Sequence, residues 1–322
     1  MTTSLQSFTM KIPGKIVING SYIVLLDEIA TVVTLDKYLN TTITYEHSDT
    51  FNIFLDIKNN EKFSFLHSDP NYWLHELVST TLKFLETQNI SIKITGYFDD
   101  GFFLENNVKT GLGSSSCLTI CVVYSLFRIL KLKNVLTEMP SNDAKKFSKF
   151  LYTVNKMVSP KSSGCDVMTS CLGPINYTRE KTIPLKIDNF NIILGTFGRA
   201  TSTRKMLDLI PKINWDKLKV INKQITEKPI ILSYTERIKC LYREYLEEMR
   251  SLSHDIVPDK QYEILNNTFN YDIFGCGISG AGGEDAVWCI TKDIETVKEY
   301  WERKFPYVMT CKLTDHGMII KD

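Results

Sequence analysis

The segment 109–116, KTGLGSSS, combines two glycines with three consecutive serines, and an apolar run over 117–130 follows at once. Glycine lets the backbone turn tightly and approach a ligand closely. Serine is a favoured cap where a helix begins, and a helix N-terminus directs N–H groups and a partial positive charge outward. Such an arrangement suits phosphate. The segment therefore predicts nucleotide or phosphate chemistry; the alternative is a Gly-Ser turn that only caps a buried helix.

Three further segments carry residues able to do chemistry. PGKIVINGSY (13–22) places Lys15 on a predicted strand directly after a Pro-Gly turn, although an edge-strand lysine often only reaches solvent. SSGCDV (162–167) places Asp166 in the first turn of a short predicted helix, where the helix dipole alone also favours an acid. GISGAGGEDA (277–286) holds four glycines within seven residues, more than an ordinary hairpin loop needs.

The elements that must position these segments mix strands and helices without strict alternation, which predicts an α+β fold. Periodicity predicts strands at 16–24, 31–45, 63–66, 90–97, 175–178, 190–197, 271–278, 285–290 and 307–313. It predicts helices at 72–86, 115–132, 143–158, 165–171, 201–209, 229–252 and 294–303. The charged stretch after residue 178 predicts a boundary between two domains, 1–183 and 184–322.

The composition argues against some classes of binding partner. The 322 residues carry 38 basic and 37 acidic side chains, and this balance provides no overall field to attract nucleic acid or an anionic membrane. We expect neither a signal peptide nor a membrane span, because no apolar stretch is long enough. The eight cysteines form no C-x-x-C pair, which fits a reducing compartment. We expect a cytoplasmic protein that binds small molecules, as a monomer or homodimer.

In this order and spacing, the four segments resemble the motifs of the GHMP kinases: galactokinase, homoserine kinase, mevalonate kinase and phosphomevalonate kinase. The resemblance runs from about residue 11 to residue 287. Three details resemble the phosphomevalonate kinase family in particular. Residues 13–25 are similar to its PGK-x-x-x-x-G-G-Y-x-V-L, 109–115 to its KTGLGSS, and 198–207 to its G-x-S-A-x-T-x-x-(M/L)-V.

The resemblance implies a fold and a site. The N-terminal domain would be ribosomal-S5-domain-2-like and bind ATP, the C-terminal domain a ferredoxin-like α/β sandwich, and the acceptor would lie between them. Lys15 and Asp166 would be catalytic, and Ser115 would contact Mg²⁺. ATP would contact Lys109, Gly111, Leu112, Gly113, Ser114, Ser115 and Ser116. The acceptor would contact Lys15, Tyr22, Ser163, Gly164, Arg199, Thr201, Ser202, Thr203, Arg204, Gly280, Ala281, Gly282 and Gly283.

The lysine and arginine residues near the motifs indicate which chemical class of acceptor the site suits. A hydroxyl acceptor needs a general base, which would be Asp166. A phosphate monoester has a second pKa of roughly 6, so at neutral pH it is mostly a dianion and needs cations more than a base. The matched motifs or their neighbours offer Lys15, Lys109, Arg199, Arg204 and Lys205. This supply favours a phosphorylated acceptor; the alternative for Arg204 and Lys205 is a solvated helix face. Together with this preference, the resemblance implies ATP-dependent phosphorylation of 5-phosphomevalonate to 5-diphosphomevalonate, a step in the mevalonate route to isoprenoids.

Three positions depart from the family pattern. Glu284 replaces the third glycine of GAGGGD and would be strained if that position requires a positive φ. Asn155 stands where mevalonate kinases carry a magnesium-binding glutamate, which argues against that activity or for a metal held mainly by ATP and Ser115. Cys117 replaces a small residue. The alternatives are mevalonate kinase or another GHMP small-molecule kinase, and a non-catalytic GHMP-fold ligand-binding protein.

Overall fold

The computed structural model describes residues 5–58, 62–64, 72–105, 107–132, 143–187, 190–199, 201, 206, 208, 213–227 and 236–322. Its strands are β1 Gln6–Asn19, β2 Ala30–His47, β3 Asn52–Lys58, β4 Lys62–Ser64, β5 Ile90–Phe98, β6 Ile175–Tyr177, β7 Thr182–Pro184, β8 Asn191–Thr196, β9 Ile273–Ile278, β10 Val287–Thr291, β11 Tyr307–Thr314 and β12 Ile319–Lys321. Its helices are α1 Tyr72–Leu82, α2 Ser114–Ile129, α3 Asp143–Val158, α4 Cys165–Leu172, α5 Asp216–Glu227, α6 Glu236–Leu252, α7 Asp259–Thr268 and α8 Ile294–Glu302.

Strand β2 connects the two halves of the chain. It pairs antiparallel with β1 and with β5, and two of its residues pair with β11 in the register Leu313↔Leu35 and Thr314↔Thr34. The order of the main sheet is β4-β3-β5-β2-β11-β8-β10-β9, and β3 with β5 forms a parallel pair. Backbone hydrogen bonds therefore cross from the first half of the chain to the second, and the domain boundary near residue 184 stays a prediction.

Helices α2 and α4 pack on β1 and hold the elements that surround the candidate site. The sequence of α2 is apolar on nearly all sides, because the helix also contacts α1, α3 and β2. In the second half, α6 packs on β9 and α5. Its buried residues Ile238, Leu241, Tyr245 and Met249 follow one another at three or four positions, as expected for one helix face.

The predicted elements and the structure agree best where periodicity is strongest. Helix α3 has the predicted limits, whereas the strand predicted over 16–24 ends at Asn19, because Gly20 turns at φ +85° into a 3₁₀ turn over Ile23–Leu26. Helices α5 and α7 were not predicted. The predicted helix 229–252 is described from Glu236 onward, and most of the predicted helix 201–209 lies outside the described residues.

Two further observations concern the chain as a whole. Every described helix is too short or too polar to cross a bilayer. All eight cysteines are free thiols, and burial raises the pKa of Cys121 and Cys171 to about 12.

Candidate active site

A cavity of about 560 Å³ brings together residues from all four motif segments. Such a volume is in the range of small-molecule sites. The first segment contributes Lys15, Ser21 and Tyr22; the second contributes Lys109, Gly111, Gly113, Ser114, Ser115 and Ser116. The loop between α3 and α4 contributes Ser159, Lys161, Ser162 and Ser163, and the first turn of α4 contributes Cys165 and Asp166. The remaining polar and glycine-turn residues of the lining are Thr201, Ser279, Gly280, Ala281 and Asp285.

Lys15 and Asp166 form an ion pair at this cavity. The register of β1 shifts between Pro13 and Lys15, and the backbone N–H of Lys15 donates to the carbonyl of Leu112 at 2.9 Å. The Lys15 Nζ lies 3.1 Å from the Asp166 Oδ2, with Lys15 buried and Asp166 43% exposed. Burial by itself would lower the pKa of Lys15, but the carboxylate of Asp166, together with Cys165 and Asp285, raises it, and the net shift of the pKa is upward.

The Gly-Ser loop presents the N-terminus of α2 to the cavity. Gly111 and Gly113 have φ of +89° and +87°, and Gly113 caps the helix without any side-chain hydrogen bond to its first N–H groups. A Cβ on Gly113 would lie 2.9 Å from the Lys15 Cε, so glycine here makes room for the lysine stem. The first N–H groups thus remain available to an anion.

Lys109 and Leu112, both in this loop, differ in their position relative to the cavity. The Lys109 Nζ donates to the Ser115 Oγ at 3.4 Å, at the edge of the cavity. The side chain of Leu112, predicted to contact ATP, is only 1% exposed and packs in the core. Its carbonyl instead holds Lys15 in place.

The glycine turn 280–283 divides into two parts, which corrects the prediction that all four residues face the acceptor. Gly280 and Ala281 line the cavity. Gly282 and Gly283 lie outside its lining and pack closely instead: a Cβ would lie 2.3 Å from the Ile256 carbonyl oxygen at Gly282, and 2.6 Å from the Thr201 Oγ1 at Gly283. These two glycines shape the turn.

Alanine at these positions should separate the two roles. At Gly282 (φ +68°), alanine should lower the free energy of unfolding by about 2–5 kcal/mol, through left-handed strain plus overpacking. At Gly280 (φ +58°) a Cβ meets nothing within 4 Å, so alanine should cost only about 1–2 kcal/mol, from strain. Urea unfolding measures both, and equal losses would contradict this division.

Glu284 shows no strain at its departure from the family pattern. Among the described residues, the non-glycine positions with positive φ are Asp27 and Asn107. The Glu284 N–H donates to the Thr201 Oγ1 at 2.7 Å, and its carboxylate lies 3.0 Å from the Arg199 guanidinium. Arg199, predicted to contact the acceptor, is 73% exposed and outside the cavity lining. It stabilises the glycine turn instead.

Asp285 is a cavity residue that the sequence analysis missed. Its Oδ1 accepts the backbone N–H of Thr201 at 2.9 Å. Burial raises the pKa of this carboxyl, while the Thr201 N–H and Lys15 act in the opposite direction. Two carboxylates, Asp166 and Asp285, therefore act on Lys15. The signal was available, since Asp285 matches the last residue of GAGGGD.

The remaining predicted site residues differ in placement. Tyr22 lines the cavity, donates its hydroxyl to the Ala281 carbonyl and stacks on Trp215 with ring centroids 5.1 Å apart. Ser163 and Thr201 line it as well. Gly164 caps α4 at φ +87° and lies outside the lining. Ser202, Thr203 and Arg204, with Lys205, lie outside the described residues.

The residues present fit a nucleoside triphosphate together with a metal ion that is bound in part by the phosphates of the nucleotide. The uncapped start of α2, Lys109 and the Ser115 hydroxyl suit phosphates and Mg²⁺. Within the described residues, no three His, Cys, Asp or Glu side chains cluster in a way that would hold a metal ion without the nucleotide. Asn155 lies outside the cavity lining, and its buried Nδ2 has no hydrogen-bond partner in the described part of the chain.

The chain is similar in sequence to two kinases. No family model matches the chain. Phosphomevalonate kinase of Saccharolobus solfataricus is 24% identical over 328 residues, covering 95% of this chain and 97% of the relative. Mevalonate kinase of Thermococcus gammatolerans is 23% identical over 205 residues, covering 58% of this chain and 57% of the relative.

A solved structure shares the fold. The phosphomevalonate kinase of Streptococcus pneumoniae, in complex with phosphomevalonate and AMPPNP, superposes with a TM-score of 0.67 at 16% identity, covering 95% of this chain and 99% of that one. The α+β architecture is therefore that of the GHMP kinases. With its four motif segments gathered at one cavity, the chain has the fold of the GHMP kinases and is similar in sequence to a phosphomevalonate kinase and a mevalonate kinase.

Proposed function

We propose that this GHMP kinase phosphorylates 5-phosphomevalonate, with ATP as donor, to give 5-diphosphomevalonate and ADP. The observation that carries the proposal is the shared cavity: the uncapped N-terminus of α2 and the Lys15–Asp166 pair face the same space. The similarity to phosphomevalonate kinase over 95% of the chain supports the acceptor.

In the proposed reaction, bound Mg-ATP supplies the phosphoryl group. The first N–H groups of α2 bind donor phosphate oxygens, and Ser115 provides an oxygen toward the metal. The ammonium of Lys15 stabilises negative charge on the transferred group. Asp166 holds that ammonium in place at 3.1 Å and keeps it charged. Tyr22 and Ala281, joined by a hydrogen bond, form part of the cavity wall beside the reacting groups.

The nature of the acceptor determines what Asp166 does. A phosphate monoester is mostly a dianion at neutral pH and attacks without losing a proton to the protein. Asp166 then acts as a positioning residue through Lys15. With mevalonate as acceptor, Asp166 would instead remove the hydroxyl proton. The reaction would belong to the mevalonate route to isoprenoids, in the cytoplasm, in a monomer or a homodimer.

ADP release with purified protein, Mg-ATP and each acceptor tests this proposal directly. Turnover with 5-phosphomevalonate, and none with mevalonate, is the expected result. Turnover only with mevalonate would contradict the proposed acceptor and make Asp166 a general base. Silence with both acceptors, in a protein that binds AMPPNP, would favour another GHMP acceptor or a non-catalytic binding protein.

A further inference from the structure

The cations at the cavity are not equally available to an acceptor phosphate. Lys15 is paired with Asp166, and Lys109 contacts Ser115 beside the start of α2. Arg199 is committed to Glu284 outside the cavity lining. Among the described lining residues, this leaves Lys161, which is exposed on the loop between α3 and α4.

The backbone around Lys161 is held by a proline turn. The N–H of Ser162 donates to the Ser159 carbonyl at 3.0 Å, which closes a turn with Pro160 at its second position and Lys161 at its third. Proline fixes φ at that second position and so favours the turn. Lys161 therefore lines the cavity from a backbone position that the turn fixes.

A second lysine fixes the same turn from below. The Nζ of Lys156, on α3, donates to the carbonyls of Pro160 and Ser162 at 2.7 Å each. These carbonyls belong to the residues on either side of Lys161. Tyr177 donates its hydroxyl to the Ser163 carbonyl at 2.8 Å and so holds the next part of the loop. Both flanks of Lys161 are thus ordered by charged or hydroxyl donors.

Two groups of polar residues at the cavity lie on different elements. The start of α2, with Lys109 and Ser115, forms one group, which the proposed function gives to ATP. Lys161 and the lining residues Ser162 and Ser163 form the other, on the loop that leads to Asp166. Lys15 lies within reach of both, since it packs against Gly113 and pairs with Asp166.

We propose that Lys161 binds the phosphate that the acceptor already carries, and so selects a phosphorylated acid over its unphosphorylated form. This inference rests on the proposed function, because it assigns a group to the acceptor of that reaction. A phosphate dianion entering this cavity gains most from an ammonium that is neither paired with a carboxylate, as Lys15 is, nor beside the nucleotide phosphates, as the proposed function places Lys109. A hydrogen bond to a charged group corresponds to about a 10- to 100-fold change in affinity.

Equilibrium binding to Lys161→Ala tests the assignment. The affinity for 5-phosphomevalonate should fall about 10- to 100-fold, while that for AMPPNP stays within about two-fold. Lys161→Arg should retain most of the affinity, because it keeps the charge. Lys149→Ala is the matched control, because it removes an exposed lysine of α3 that lies outside the cavity lining. It should change neither affinity.

Three results would overturn the assignment, and they differ from a failure of the proposed function. Unchanged affinity for 5-phosphomevalonate in Lys161→Ala would remove the acceptor contact. Equal losses for 5-phosphomevalonate and AMPPNP would place Lys161 at the nucleotide. An equal loss for mevalonate would exclude a contact with the acceptor phosphate. If instead the wild-type protein binds AMPPNP but no 5-phosphomevalonate, the proposed function itself fails, and this inference fails with it.

Discussion

Lys15→Met should lower kcat with 5-phosphomevalonate by about 10³-fold while the protein remains folded. The Lys15 ammonium pairs with Asp166, and the Lys15 side chain passes Gly113 at the start of α2. Without this ammonium, the negative charge on the transferred phosphoryl group loses the stabilising cation that the proposed reaction assigns to it. Methionine is unbranched and can fill the buried path past Gly113. Asp166 is 43% exposed and can be hydrated when its partner is removed.

Steady-state kinetics and thermal unfolding, measured on the same preparations, check this expectation. Lys149→Met serves as control, since it makes the same chemical change on the exposed side of α3. AMPPNP binding should persist in both variants, because the α2 N-terminus is unchanged. A kcat within about five-fold of wild type for a folded Lys15→Met protein would contradict the assignment of Lys15, given the roughly 10²- to 10³-fold cost of losing such a group.

Asp166→Asn should lower kcat with 5-phosphomevalonate by about 10²-fold and leave the acidic limb of the pH profile in place. Asparagine keeps an oxygen toward the Lys15 ammonium but removes the charge that holds it. If the acceptor must be a dianion, kcat/KM should fall below a pH of roughly 6 in both proteins, since this limb belongs to the substrate phosphate. An acidic limb that is present in the wild type and absent in Asp166→Asn would contradict this origin of the limb.

The pH dependence of kcat/KM, measured from about pH 5 to pH 9, distinguishes a dianionic acceptor from a mechanism with a general base. Loss of the acidic limb in Asp166→Asn would identify a base and would argue for a hydroxyl acceptor. Asp166→Ala should be less stable than Asp166→Asn, because it leaves the buried Lys15 ammonium without a neighbouring oxygen. Thermal unfolding compares the two variants directly.

The direction of the Lys15 pKa shift predicts how the stability contributed by the Lys15–Asp166 pair changes at alkaline pH. Its pKa is raised in the folded protein, so the stability that the pair contributes is fully present below the ordinary value of 10.5. It is lost only as the pH rises through the higher folded value. Titration of Lys15 should therefore leave no feature in a profile that ends at pH 9.

The sequence predicted local features of the site well, because these depend on short spacings. The limits of α3 follow from its apolar period, and the start of α2 follows from a Gly-Ser pattern whose conformational needs are local. The nearness of Lys15 and Asp166 was also expected, although only through the resemblance of the whole motif set. No spacing within either segment determines a contact between residues so far apart in the chain.

Features that depend on distant packing were not predictable in the same way. Arg199 was expected at the acceptor, but its guanidinium pairs with Glu284, a partner far along the chain. The same is true of Gly282, whose need for glycine comes from the Ile256 carbonyl. Helix α7 was missed because Asn266 and Asn267 weaken its local propensity, while buried Ile264 and Leu265 secure it.

The pairing of β1 with β12, and of β2 with β11, sets an order of events during synthesis. Residues 9–11 find partners in 319–321, and residues 34–35 in 313–314. In a nascent chain, the backbone groups of these residues therefore lack these partners until the strands near residues 313–321 have been made. Contacts of such sequence separation form slowly. The exposed edges of β1 and β2 are thus the surfaces that a nascent chain must protect longest.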